Sequence, residues 1–302
     1  MRVLLVRAGA LGDLLLLRPA IAALRAAGHA VGLIAPGAGR VLVGPGPSEV
    51  GDLVPWDGTE VGALLAGGLS DAGPLGRRLA VTDAAIVYSR NTGLLAAVRS
   101  RVPRVLARDP SPAEGHASQW LAGPTRELGG DPRPMPPDLE ATAEEREAAR
   151  PWLDCLPPRF LAVHPGSGSA QKNWPVERFR ELADRLAGAR RWLLVEGPAD
   201  GAAATLRLHP LAVPARDLPV RTLAALLGQA GLYVGNDSGV THLAAAAGAP
   251  TLALFGPTDP AVWAPVGRRV EMLRSPGGTM SGLEVEAVLS AVTSAARGRP
   301  SG

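Results

Sequence analysis

The sequence predicts an α/β protein whose strands run parallel in two domains. Short apolar runs recur along the chain, each leading through a Gly-rich turn into a helical segment. Strands linked by helices need crossover connections, and those give parallel sheets. The alternation starts at residue 2 and starts again at residue 159, either side of the proline-dense stretch DPRPMPPD at residues 131–138. A length of 302 residues suffices for two ordinary domains. The expected division is a first Rossmann-like domain over 1–150, a second over 151–280, and a terminal helical segment over 281–302.

Residues 2–7, RVLLVR, read as a buried first strand. The turn AGALGD follows, with Gly9 and Gly12. A nicotinamide cofactor would want G-x-G-x-x-G here, and the sequence does not supply it. Asp13 is the acid at this loop–helix junction. It serves either as a carboxylate in the helix's first turn or as a general base at the sheet's carboxyl edge, where open α/β sheets bind ligands. A helical segment over 20–27 follows Pro19.

Strands are expected at 30–35, 52–56, 84–88 and 104–107, and helices at 59–69, 91–98 and 116–128. Ser89, Arg90 and Asn91 leave the strand at 84–88 on its carboxyl side, where they either face a cleft or form an exposed capping turn. The stretch 131–138 reads as a linker. Thr142 and Glu145 form a capping-box pattern at the start of an amphipathic helix over 142–152.

The second series opens with a strand at 159–163 and the loop HPGSGSAQKNWP at 164–175. Ser167 and Gly168 lie where backbone N–H groups face outward. Lys172 follows just before a helix entered through Pro175. Gly/Ser plus one lysine is what a diphosphate needs: several N–H donors and a mobile positive charge. It is not a Walker A loop, and a plain surface loop is the alternative. His164 reads as packed or locally hydrogen-bonded. A strand at 192–195 leads to the turn 196–200, where Asp200 either caps a helix or accepts ribose hydroxyls.

The densest information lies in LYVGNDSGVTHLAAAAGAPTLALFGPTDP, residues 232–260. It reads as a strand, a tight turn, a short alanine-rich helix over 240–247, a second strand over 251–255 and a loop. The turn presents a helix N-terminus at the sheet's carboxyl edge, where free N–H groups and the helix dipole favour an anion. Asp237 or Ser238 can cap this helix, Ser238 and Thr241 can offer hydroxyls, and His242 lies one turn in. A helix over 221–229 precedes the unit, and an amphipathic helix over 281–297 ends the fold.

Composition bounds the function. Hydrophobic residues make up 46 % and charged residues 20 %, as in globular proteins, and no apolar run is long and clean enough to span a bilayer. The single cysteine, Cys155, excludes an internal disulfide and a cysteine-cluster metal site, so a cytoplasmic location is the default. The net charge of +3 is spread along the chain, which suits an anionic ligand or membrane surface better than nucleic acid. Of 31 basic residues only Lys172 is lysine, and of the asparagines Asn91, Asn173 and Asn236, two lie in the turns just described. An ammonium and a guanidinium are not interchangeable. No D-x-D pair occurs, so a carboxylate-held divalent metal is not encoded in the usual way, and no cofactor is expected.

Three segments together resemble the family 9 glycosyltransferases, the heptosyltransferase family: RVLLVRAGALGDLLLLRPAIAALR, AVHPGSGSAQKNWPVERFRELADRL and YVGNDSGVTHLAAAAGAPTLALFGPTDPAVWAP. The resemblance implies a GT-B fold, with two Rossmann-like domains facing a central cleft and the C-terminal helix packing back on the first domain. It also implies an inverting, metal-independent transfer. By position, Asp13 matches the family's base and Lys172 its diphosphate-binding lysine. Asp237, Ser238, Gly239, Val240 and His242 match its donor-binding turn, and Asp200 its acidic ribose contact. Gly12, Arg90 and Asn91 are the acceptor-side candidates. The implied partners are a nucleotide-sugar donor such as ADP-heptose and a glycan or lipopolysaccharide-like acceptor, with peripheral contact at the cytoplasmic membrane face. A nucleotide-sugar epimerase and a non-catalytic nucleotide-binding protein are the alternatives on the same fold.

Overall fold

The computed structural model describes residues 1–197, 201 and 203–297. The chain divides into two compact units, Met1–Glu140 and Ala141–Gly302.

The first unit carries strands β1 (Arg2–Arg7), β2 (Ala30–Ala35), β3 (Leu53–Pro55), β4 (Ala84–Tyr88) and β5 (Arg104–Arg108). Their order is β3-β2-β1-β4-β5, and every pairing is parallel. Val3 sits opposite both Val31 and Ala84, which fixes the register of the central strands. Helices α1 (Leu11–Leu15) and α2 (Arg18–Ala26) connect β1 to β2, α3 (Thr59–Leu65) and α4 (Pro74–Ala80) connect β3 to β4, α5 (Thr92–Arg99) connects β4 to β5, and α6 (Ala117–Ala122) follows β5. One core joins Leu4, Val6, Ile34 and Val87 of the sheet to Val61, Leu79, Leu94 and Val98 of the helices. Near-continuous apolar strands are what a sheet covered on both faces requires. The helix expected at 116–128 is α6 followed by a 3₁₀ segment, Gly123–Leu128. Pro124 has no N–H to continue the α-helical ladder.

The proline-dense stretch is not a free linker. Arg18 is fully buried and donates to the Pro137 carbonyl, which also accepts from Ser48 Oγ at 2.9 Å. The Glu49 carboxylate accepts from the Glu140 amide at 3.1 Å. Prolines present carbonyls without competing N–H groups, and buried polar side chains of this unit use them. Burial pushes the Arg18 guanidinium down to about 10, against the opposing pull of Asp138 and Glu49. The boundary therefore falls at 140/141, before the residue 150 that sequence suggested.

The second unit begins with α7 (Ala143–Leu153) and carries β6 (Leu161–His164), β7 (Trp192–Glu196), β8 (Ala212–Arg216), β9 (Leu232–Asn236), β10 (Thr251–Phe255) and β11 (Val270–Arg274). Their order is β8-β7-β6-β9-β10-β11, again all parallel. The remaining helices are α8 (Val176–Ala187), α9 (Ala203–Arg207), α10 (Val220–Leu227), α11 (Gly239–Ala246), α12 (Pro260–Trp263) and α13 (Val285–Arg297).

The capping box on α7 forms: Thr142 Oγ1 accepts from the Glu145 amide at 3.2 Å, and Glu145 Oε2 from the Thr142 amide at 2.9 Å. Glu145 also grips Arg221 of α10 at 2.8 and 3.0 Å, which ties α7 to this unit. Trp152 Nε1 donates to the carbonyl of Pro214 on the edge strand β8 at 3.0 Å. Val285 and Val288 of α13 enter a core with Trp174, Phe179 and Leu254. Leu289, Ala291 and Val292 of the same helix pack, partly buried, against that core.

Each strand order reverses at one place, between β1 and β4 in the first sheet and between β6 and β9 in the second. The crevice at such a reversal, outside the carboxyl ends of the strands, is where open α/β sheets bind ligands. Among the described residues, no helix is long and apolar enough to cross a membrane.

Candidate functional site

The predicted residues that are described lie on loops and helix starts at these two reversals. In the second unit, the loop after β6 and the turn after β9 are locked together by Asn236. Its buried side chain accepts from the Trp174 amide at 3.1 Å and donates to the Pro165 carbonyl at 2.7 Å. A side-chain amide offers a donor and an acceptor on two separate atoms, and Asn236 uses both here. Ser167 Oγ donates to Asn173 Oδ1 at 2.6 Å and accepts from the Ser169 amide at 3.2 Å, bending the loop. Gly168 is exposed, with open space where a Cβ would project.

This folding delivers Lys172, at the end of the short turn Ala170–Lys172, to Asp237. Lys172 Nζ lies 2.7 Å from Asp237 Oδ2, and Thr258 Oγ1 donates to the same oxygen at 2.7 Å. The Asp237 side chain is 8 % exposed and that of Lys172 is 30 % exposed, so the ammonium is held on one side and open on the other.

Ser238 is the N-cap of α11, its hydroxyl accepting from the Thr241 amide at 3.4 Å. Thr241 Oγ1 bonds the Asn236 carbonyl and the Tyr233 hydroxyl, the latter at 3.0 Å. Gly239 and Val240 occupy the first two helical positions, where amides have no intrahelical acceptor. Gly235 is required beneath them, because a Cβ there would lie 2.4 Å from the Tyr233 hydroxyl. His242 is buried, with its amide bonded to the Ser238 carbonyl at 3.2 Å.

The other histidine of this edge, His164, is buried with Nδ1 3.0 Å from the Val195 carbonyl. Glu196, at the end of β7, is held by Arg207, whose Nε lies 2.9 Å from Oε1. Asp200 lies outside the described residues.

In the first unit, Gly12 and Asp13 are the second and third residues of α1. Asp13 Oδ2 accepts from the Ala10 amide at 3.0 Å, so the carboxylate holds the helix start while its side chain remains 37 % exposed. Behind it lies Arg7, with its side chain 2 % exposed and NH2 3.4 Å from Asp13 Oδ1. Burial lowers the Arg7 guanidinium from its ordinary value, against the pull of Asp13 and Tyr88. Asn91 caps α5, its Oδ1 accepting from the Leu94 amide at 2.9 Å. Arg90 Nε donates to Asp109 at 2.7 Å; that hydrogen bond holds the Asp109 carboxyl below the usual range.

Sequence reasoning named Lys172, Asp237 and Ser238 but missed Thr258 and Arg7. Thr258 lies in the loop after β10, on the same sheet edge, and that placement was the available signal.

Two open, wholly parallel sheets, each with turn chemistry at its reversal point, define a pair of Rossmann-like units of the GT-B kind. The model of glycosyltransferase family 9 (heptosyltransferase) matches residues 120–291. The chain belongs to that family. It is 37 % identical over 117 residues to lipopolysaccharide heptosyltransferase 1 of Pseudomonas aeruginosa, a stretch covering 37 % of this chain and 32 % of that protein. The chain thus spans about a third of the length of that curated relative. The structure of the Escherichia coli ADP-heptose lipopolysaccharide heptosyltransferase II matches with a TM-score of 0.78 at 19 % identity, covering 98 % of each chain. That of the E. coli heptosyltransferase WaaC with ADP matches with a TM-score of 0.73 at 22 % identity, covering 98 % of this chain and 100 % of that one.

Proposed function

We propose that the protein is an inverting, metal-independent glycosyltransferase that moves a heptose from ADP-heptose to a lipopolysaccharide-like glycan. Family membership and the relatives' named activities support the reaction class. The observation that carries the reading is the Lys172–Asp237–Thr258 cluster beside the N-terminus of α11, at the reversal of the second sheet.

The roles divide between the units. The second holds the donor: Lys172 and the Gly239 and Val240 amides take the diphosphate charge, Ser238 offers its hydroxyl, and the Ser167–Gly168 loop closes on the phosphates. His242 and Asp200 complete the donor set. The first unit supplies Asp13, with Gly12, Arg90 and Asn91 on the acceptor side. The acceptor hydroxyl attacks the anomeric carbon, its proton passes to Asp13, and the anomeric C–O bond breaks with its electron pair leaving on ADP. A nucleotide-sugar donor suits an enzyme of the cytoplasm, and a lipid-borne acceptor suits peripheral contact with the membrane.

Asp13→Asn keeps the size of the side chain and an acceptor for the Ala10 amide but removes the base. Sugar transfer is expected to fall by ~10²–10⁴-fold, the usual range for a lost general base, with ADP affinity little changed. Transfer at the parent rate would overturn the assignment. Epimerised nucleotide sugar formed without acceptor, or no donor turnover at all, would replace the reading with an epimerase or a binding protein.

A further inference from the structure

We propose that Arg7 is a positioning residue that fixes the Asp13 carboxylate for proton abstraction. The proposal rests on Asp13 being the base.

Arg7 closes β1 and is almost wholly buried, where a guanidinium is costly unless well paired. Its pairing is thin. NH1 donates to the Pro110 carbonyl at 3.3 Å and NH2 to Asp13 Oδ1 at 3.4 Å. The guanidinium carbon lies 5.8 Å from the Tyr88 ring centre, and the buried Nε has no hydrogen-bond partner. An apolar side chain of similar length would fill this space at lower cost. Stability therefore does not account for a charge here.

What the charge does reach is Asp13. One carboxylate oxygen is held by the Ala10 amide and the other by Arg7, so both ends of the group are gripped. The backbone makes room for this, since a Cβ on Gly9 would lie 2.8 Å from the Asp13 Cβ. A carboxylate fixed at both oxygens presents its remaining lone pairs to solvent in one orientation. A catalytic group must be held within a fraction of an ångström, and that is the work of a supporting residue behind it.

The test uses the full chain carrying Arg7→Met, Arg7→Lys, or Arg7→Met together with Asp13→Asn, with kcat and ADP affinity measured separately. Arg7→Met should lower kcat roughly tenfold to a hundredfold, the effect of a coupling of about 1.4–2.7 kcal/mol. ADP affinity should stay within about twofold of the parent, since the nucleotide is assigned to other residues. Arg7→Lys should recover part of the loss, because an ammonium can reach one oxygen. In the Asp13→Asn background the Arg7 change should cost nothing further. Unchanged kcat in Arg7→Met, or an equal loss whether or not Asp13 is present, would overturn the proposal. If Arg7→Met does not fold, the Arg7→Lys protein decides: a lowered kcat that is not seen again when Asp13→Asn is also present supports the proposal, and an unchanged kcat refutes it. Full activity of Asp13→Asn alone would instead sink the base assignment, so the two failures are distinguishable.

Discussion

Lys172→Ala tests the donor site most directly, and its size follows from the geometry. The ammonium contacts Asp237 at 2.7 Å on its inner side and is open on the other. On the open side it is available to a diphosphate, and a charge-assisted contact of that kind contributes about 1.5–3 kcal/mol. Its loss should weaken ADP binding roughly tenfold to a hundredfold. The inner side sets the control. Among the described residues Asp237 would keep only Thr258 as a side-chain donor while remaining buried, so a modest loss of stability of about 1 kcal/mol accompanies the substitution. Calorimetric titration with ADP at two ionic strengths, beside thermal melts, separates the two effects. The gap in affinity should narrow with salt, because Lys172 is partly exposed. Lys172→Arg should restore only part of the affinity, since a planar fork does not replace a compact ammonium. Parent ADP affinity in a folded Lys172→Ala protein would refute the reasoning.

Asp13→Asn should separate turnover from nucleotide affinity in the sugar-transfer assay described above. Glu145 is desolvated, but Arg221 and the Thr142 amide outweigh that and hold its carboxyl below the ordinary range. A depressed carboxylate stabilises the fold above its unfolded value and loses that contribution as pH falls through the folded one. Glu145→Gln should therefore lower the melting temperature at neutral pH, and the gap should close as the pH falls below about 4; a pH-independent gap would exclude the ion pair as its source. Gly235→Ala pushes a methyl into Tyr233, whose hydroxyl bonds Thr241, so it should cost roughly 1–3 kcal/mol in urea unfolding and weaken ADP binding as well.

The buried strands were legible because apolar residues dominate them: 2–7, 30–35, 84–88 and 251–255 are mostly Val, Leu, Ile and Ala with turn residues after them. The edge strands β8 and β11 were not. AVPAR carries a proline and VEMLR two charges, which an edge tolerates and which break the apolar signal; the edges of the first sheet, β3 and β5, were anticipated all the same, at 52–56 and 104–107. Local chemistry gave the capping box at Thr142 and the Ser238 turn, since both operate within four residues. It did not give the burial of Arg18, whose carbonyl partner lies far along the chain, at Pro137. Thr258 and Arg7 were hidden for the same reason. Each acts on a group from another loop or strand end, and only the folded sheet brings them within reach.

The Trp152–Pro214 contact has a consequence for how the molecule keeps to itself. Within a strand, a residue's N and C=O point to the same side. The Pro214 carbonyl is taken by Trp152 rather than by β7, so this residue turns both groups toward the open margin of the sheet. There the proline offers no hydrogen and its oxygen is already engaged. An incoming strand would find neither a donor nor a free acceptor at the middle of β8. The middle of this margin is a poor template for another chain, and removing the indole with Trp152→Phe would free an acceptor there, as exposed edge strands do when they pair.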